Sequence, residues 1–165
     1  LGNIDLPDGS MDRVACLAGL HHQERKIDFF HEARRILRPG GRLAVADVLE
    51  RSPPARFLNG PVDRYSDLGH DGMFLEPGQF SALMAEAGFT GIEERLETYC
   101  WQFRDAAEMV SFCHSLFRMV KARPEDVERE IHRYFAVIPN KRGLGMEWSL
   151  VYASGTKPGE PAANG

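Results

Sequence analysis

The sequence predicts an α/β fold in which a largely parallel sheet is covered by helices on both faces. Two short apolar runs, Arg13 to Ala18 and Leu43 to Val48, have the near-continuous apolar character of strands buried on both faces. Between them, Gln23 to Leu37 carries Ile27, Phe30, Ala33 and Leu37 at helical spacing. Pro39-Gly40-Gly41 then stops the helix just before the second run, which completes the order strand, crossover helix, strand.

The turn cluster Pro7-Asp8-Gly9-Ser10 precedes the first strand and fixes where it starts. Leu49 to Glu76 is broken by Pro53-Pro54, Gly60-Pro61 and Gly69, and is expected to be a long, lid-like loop over residues 49–76. Pro77 suits a first helical turn, Phe80, Leu83, Met84 and Ala87 follow at helical spacing, and Gly88 suits the end. Ile92 to Tyr99 alternates as a strand does. Ala106 to Val120 and Pro124 to Val137 each carry one wide apolar stripe, so a helical insertion over 104–137 is expected before a last strand, Met146 to Ser154. The Gly, Pro and Ala-rich segment 156–165 is expected to be a flexible tail.

At 165 residues, 43% apolar and 27% charged, the composition is that of a globular domain. The formal net charge of −4 and the lack of a clustered basic run argue against a nucleic-acid partner. No apolar run approaches the length of a membrane span. Cys16, Cys100 and Cys113 are odd in number and widely spaced, as buried thiols of a cytoplasmic protein would be.

Three ordered motifs carry a resemblance: Leu6-Pro7-Asp8-Gly9-Ser10-Met11-Asp12-Arg13-Val14, then Leu20-His21-His22, then Leu37-Arg38-Pro39-Gly40-Gly41-Arg42-Leu43. Together they resemble the small-molecule class I S-adenosylmethionine-dependent methyltransferases (type 11-like). Ala87-Gly88-Phe89 and Trp148-Ser149-Leu150 extend the likeness over nearly the whole chain. The resemblance implies the C-terminal part of a Rossmann-like methyltransferase sheet, largely parallel with its last strand antiparallel, over residues 1–155. The family's G-x-G-x-G cofactor loop occurs nowhere in the sequence. The chain therefore reads as a truncated, substrate-side half, incomplete at the cofactor and inactive alone. Its Arg13 to Ala18 edge should seek a missing N-terminal half or a second copy.

The implied reaction is methyl transfer from S-adenosylmethionine to a small-molecule acceptor; the alternative is a non-catalytic fragment or assembly module. Such a displacement requires alignment and water exclusion and no metal. By family position Asn3 and Ile4 would flank the adenine, while Cys16 and Leu17 would meet the methionine part. His22 could accept a proton, its ordinary pKa lying near neutrality, and His21 is the weaker candidate. Asp47 ends the second strand at the ligand edge of the sheet, where it either binds substrate or caps the following loop. Tyr65 and His70 would be polar groups of the lid.

Overall fold

The computed structural model describes residues 2–159. These form two compact units. Of the described residues, one unit gathers 2–48, Met73–Leu96 and 151–159, and the other Leu49–Gly72 and Glu97–Leu150.

In the first unit, β1 (Met11–Leu17) leads through a 3₁₀ turn at Leu20–His22 into α1 (Lys26–Ile36) and then β2 (Leu37–Asp47). α1 buries Phe29, Phe30, Ala33 and Ile36, a stripe that follows from their spacing of three and four. Each large side chain of that stripe stabilises the unit by about 1.5–3 kcal/mol relative to exposure. β1 and β2 are parallel, with Arg13 opposite Arg42 and Leu17 opposite Ala46. Pro39-Gly40-Gly41 does more than end a helix. Met11 already pairs with Leu37, and the ladder resumes at Arg13 and Arg42, so the residues between loop out of the strand. Gly40 adopts φ of 77°, and a Cβ on Gly41 would lie 2.9 Å from the Arg38 carbonyl, which is why glycines occupy both positions.

α4 (Gln79–Glu86) buries Phe80 and Met84, and is followed by Gly88 at φ of 83°. β3 (Thr90–Phe103) and β5 (Gly143–Thr156) are long enough to contribute residues to both units. The sheet order is β1-β2-β5-β3. Val151 to Thr156 of β5 run antiparallel to β2.

The last strand, β5, is antiparallel as expected, while the expectation of a largely parallel sheet is corrected to a mixed one. β1 with β2 is parallel, while β5 is antiparallel both to β2 and to β4 (Val137–Asn140). For β4 and β5 the cause is local: they form a hairpin around Lys141-Arg142, and a two-residue turn joins only antiparallel neighbours. The Asn140 side chain accepts the Arg142 N–H at 2.8 Å and closes that turn. The end of β5 is also better held than a loose tail from residue 156 would be. Lys157 exchanges backbone hydrogen bonds with Gly40 and Gly41, and its ammonium donates to the Leu37 carbonyl at 2.6 Å. Residues 160–165 of that expected tail lie outside the described residues.

In the second unit the stretch expected as a loop contains α2 (Pro53–Phe57), a π-helical turn at Leu58–Val62 and α3 (Asp63–Tyr65). Prolines hid this helix in the sequence, yet each sits where it is tolerated. Pro53 and Pro54 occupy the first turn behind Ser52, whose hydroxyl accepts the Ala55 N–H at 3.3 Å, and Pro61 falls in the widened π turn. α5 (Ala106–Leu116) is capped by Asp105, which accepts the Glu108 N–H at 2.8 Å. α6 (Pro124–Tyr134) buries Val127 and Ile131. The core of this unit is aromatic: Trp101 and Trp148 stack at 4.7 Å, and Phe57 meets Phe135 edge-on at 5.0 Å.

Candidate active site

Because β1 and β2 are parallel, their carboxyl ends lie side by side, and the residues that follow them are brought together. The chain leaves β1 abruptly. Ala18 stands at φ of 49°, a left-handed conformation that a Cβ disfavours, and its N–H donates to the Ala46 carbonyl at 2.8 Å. This turn delivers Leu20–His22 directly beside Asp47, the last residue of β2.

Asp47 and His21 form a buried pair, 2% and 5% exposed. One carboxylate oxygen, Oδ2, accepts the His21 backbone N–H at 3.0 Å. The other, Oδ1, lies 2.6 Å from His21 Nδ1 and accepts the Val48 N–H at 2.7 Å. A carboxylate is an acceptor only, so the proton between them sits on Nδ1 and the imidazole is fixed in tautomer and orientation. The His21 carbonyl accepts the Met73 N–H at 3.0 Å, and the Phe74 ring lies 5.1 Å from the imidazole. No water-sized space remains among Leu20, His21, Asp47, Phe74 and Phe80. Lys26 lines the same packed region, where burial lowers its pKa and Asp47 opposes that shift.

His22 is exposed, with its ring 4.1 Å from that of His21. Partial desolvation, helped by the His21 charge and opposed by Asp47, lowers its pKa from the ordinary histidine value. Its neutral form is therefore favoured near neutrality, as a proton acceptor requires.

The remaining sequence-derived candidates divide between the units. Asn3 is exposed and Ile4 half-buried, both in the segment leading to β1. Cys16 is half-buried on β1, and desolvation, with the Asp47 charge, raises its thiol pKa so that it stays protonated. Leu17 is 70% exposed at the carboxyl end of β1. With His21, His22 and Asp47, these belong to the first unit. Tyr65 and His70 belong to the second. The Tyr65 carbonyl accepts the Lys121 N–H at 2.9 Å, with the Arg64 guanidinium 5.9 Å from its ring. His70 Nδ1 lies 2.9 Å from Asn59 Oδ1, and its N–H donates to Asp63 at 2.8 Å. His21 is the residue that the sequence undervalued: the choice between substrate binding and loop capping for Asp47 omitted a third role, as the carboxylate partner of His21.

S-adenosylmethionine, the cofactor that the resemblance implies, is met in part by the residues present. The backbone around Ile4 is rigidly held, Leu17 offers exposed apolar surface at the ligand edge, and Cys16 is a neutral thiol beside the tight Ala18 turn. These suit the adenine and methionine parts. The glycine loop and the acidic ribose partner of the family have no counterpart in this sequence.

A family model described as a methyltransferase domain matches residues 1–45. The chain is 31% identical to the erythromycin 3''-O-methyltransferase of Saccharopolyspora erythraea, the match covering 94% of this chain and 53% of that protein. It is 36% identical to the 27-O-demethylrifamycin SV methyltransferase of Amycolatopsis mediterranei, over 52% of this chain and 31% of that protein. The chain thus spans about half or less of the curated relatives it matches. Among solved structures, the YcgJ protein from Bacillus subtilis superposes with a TM-score of 0.59 at 15% identity, covering 95% of this chain and 68% of that one. A SAM-dependent methyltransferase from Thermotoga maritima superposes with a TM-score of 0.56 at 18% identity, over 94% and 60%. At such identities these two likenesses establish the fold alone.

Proposed function

Because the chain belongs to the class I S-adenosylmethionine-dependent methyltransferases, whose cofactor is S-adenosylmethionine, we propose that the protein methylates a hydroxyl of a small organic acceptor. The observation that carries this is the buried Asp47–His21 pair with the exposed His22 ring against it, at the carboxyl ends of two parallel strands. When bound, the cofactor supplies an electrophilic methyl group on a sulfonium sulfur. The site would hold the acceptor hydroxyl toward that methyl group and exclude water, and His22 would take the hydroxyl proton onto its neutral imidazole. His21, locked by Asp47, is the positioning residue that orients His22. Asn3, Ile4, Cys16 and Leu17 are proposed to contact the cofactor. Tyr65 and His70 are proposed as polar contacts to the acceptor, with 49–76 as its cover. The hydroxyl assignment draws on the relative named erythromycin 3''-O-methyltransferase, on the relative named for 27-O-demethylrifamycin SV, and on a neutral base being useful to an acceptor with a proton to lose. A cytoplasmic setting suits the three free cysteines.

In the full-length protein, His22→Ala should lower turnover at least about tenfold, within the usual worth of a general base, while S-adenosylhomocysteine binding is retained. An unchanged rate removes His22 from the chemistry.

A second reading, an assembly module, is favoured by β1. Among the described residues it pairs with β2 on one side only, and none of its own residues is buried. Such an edge suits added strands from a missing N-terminal half or from a second copy. Titration of S-adenosylhomocysteine into the chain, with sedimentation at several concentrations, separates the two readings. Association without binding supports the module, and binding by a monomer supports the enzyme.

A further inference from the structure

Residues Gly2 to Gly9 run along α1 from its first turn to its last. A Cβ on Gly2 would lie 3.1 Å from Asp28 Cβ, the Ile4 N–H donates to Glu32 at 3.0 Å, and the Gly9 N–H donates to the Arg35 carbonyl at 3.0 Å. α1 starts three residues after the Leu20–His22 turn, so the Gly2 to Ile4 end lies toward the active-site edge and the Gly9 end lies away from it.

One side chain ties this segment down. Arg35 donates Nη2 to the Ile4 carbonyl at 2.8 Å, and Nη1 to the Leu6 carbonyl at 2.8 Å and to the Asp8 carboxylate at 2.6 Å. Glu32 in turn holds the guanidinium through Arg35 Nε at 3.0 Å and Nη2 at 2.9 Å, while accepting the Ile4 N–H. Ile4 therefore has both backbone polar groups satisfied by one ion pair on α1. A planar guanidinium with five donors in a fixed fork can hold the three loop acceptors and both Glu32 oxygens at once, whereas a lysine ammonium has only three donors on a single nitrogen. The hydrogen bonds to Arg35 hold the Glu32 carboxyl well below the ordinary range, at about 2, so the pair persists across physiological pH.

Resting on the proposed cofactor role of Asn3 and Ile4, we infer that Arg35, oriented by Glu32, is a positioning residue that fixes the Asn3–Ile4 backbone at the active-site edge to receive the nucleoside end of the cofactor. The segment is otherwise irregular, with the Leu6 N–H to Ile4 carbonyl bond at 2.7 Å and a turn at Asp8-Gly9, and would lose much of its order without the clamp. Binding would then have to include the cost of ordering it, about 1–2 kcal/mol per residue fixed.

The test is S-adenosylhomocysteine affinity and steady-state kinetics in the full-length protein with Arg35→Met, Arg35→Lys, Glu32→Gln and the Arg35→Met/Glu32→Gln double variant. Arg35→Met should raise the Kd and the KM for S-adenosylmethionine about tenfold, with kcat at saturation within about twofold. Arg35→Lys should fail to rescue, and the double variant should be no worse than Arg35→Met. A fall in kcat with unchanged Kd, or equal affinity in Arg35→Met and wild type, overturns the inference while leaving the methyltransferase reading intact. Absence of S-adenosylhomocysteine binding by the wild-type protein overturns the reading and the inference together. Should Arg35→Met fold poorly, Glu32→Gln decides, because it keeps the shape and removes the charge that orients the guanidinium.

Discussion

Replacing Asp47 by Asn tests the core of the site with almost no change of shape. The native carboxylate receives three donors: His21 N–H on Oδ2, and both His21 Nδ1 and Val48 N–H on Oδ1. An asparagine supplies one acceptor oxygen and one NH2 group. If its oxygen takes the Oδ1 position, the NH2 faces the His21 backbone N–H. If the amide is turned over, the NH2 faces the Val48 N–H, and a change of imidazole tautomer does not relieve that contact. Either way one buried backbone N–H loses its acceptor, at about 1–3 kcal/mol, and the charge-assisted bonds weaken by roughly another 1 kcal/mol. The expected loss is about 2–4 kcal/mol, which for a domain of this size corresponds to about 4–16 °C in Tm. Urea unfolding followed by circular dichroism measures it. Turnover should also fall about tenfold or more, a share of what general-base catalysis is worth, because His21 no longer holds His22 in place. An Asp47→Asn protein within about 0.5 kcal/mol of wild type, the scatter of neutral surface changes, would refute the claim that three donors converge on this carboxylate.

The pH dependence follows from His22. Its folded pKa lies below the unfolded value near 6.5, so the unfolded chain binds the proton more readily, and His22 contributes stability above that pH which is lost as pH falls below it. The acidic limb of kcat/KM should accordingly fall below about pH 6.5, and a His22→Gln protein should lose that limb. A limb centred above the ordinary histidine value would contradict the assignment. Burial pushes the Cys113 thiol up to about 12, whereas Cys100 is exposed. Iodoacetamide at pH 8 should label Cys100 in the native protein and Cys113 only after unfolding, as peptide mass mapping would read; equal labelling rates would contradict the burial. Gly143 has φ of 120°, and a Cβ there would overlap the carbonyl oxygens of Phe103 and Arg104. Gly143→Ala should cost at least about 2 kcal/mol through backbone strain and displacement, measured by chemical denaturation, and a neutral effect would show that β3 and β5 part easily at this point.

Much of the first unit was legible because its elements announce themselves in periodicity. The α1 stripe and the two apolar strand runs could form little else, and the Leu20-His21-His22 motif lay where the first strand had to end. Two features were not legible, for different reasons. The helical stretch from Pro53 to Tyr65 was hidden because proline reads as a breaker in sequence, whereas its cost depends on position: a first turn has no N–H to lose. The β4–β5 hairpin was missed because Val137 to Asn140 is short and half-polar. Its signal was the Asn140-Lys141-Arg142-Gly143 turn, with Asn at the start and a glycine able to take positive φ at its end.

The site itself was legible only as a set of residues, and the reason bears on its chemistry. Which of two adjacent histidines is buried depends on a backbone turn, and Ala18 at φ of 49° takes the left-handed position of that turn while the neighbouring Gly19 keeps φ of −136°. The strain there is of order 1–2 kcal/mol, less than the hydrogen bonds that follow from it. Ala18 N–H reaches Ala46, and the same turn brings His21 N–H and Nδ1 onto Asp47. His21 is thereby committed to Asp47 through both its backbone and its ring, and His22, one residue on, is left at the surface. Two adjacent histidines thus become one buried, fixed imidazole and one exposed imidazole, because a strained alanine and a strand-terminal aspartate act on the same residue.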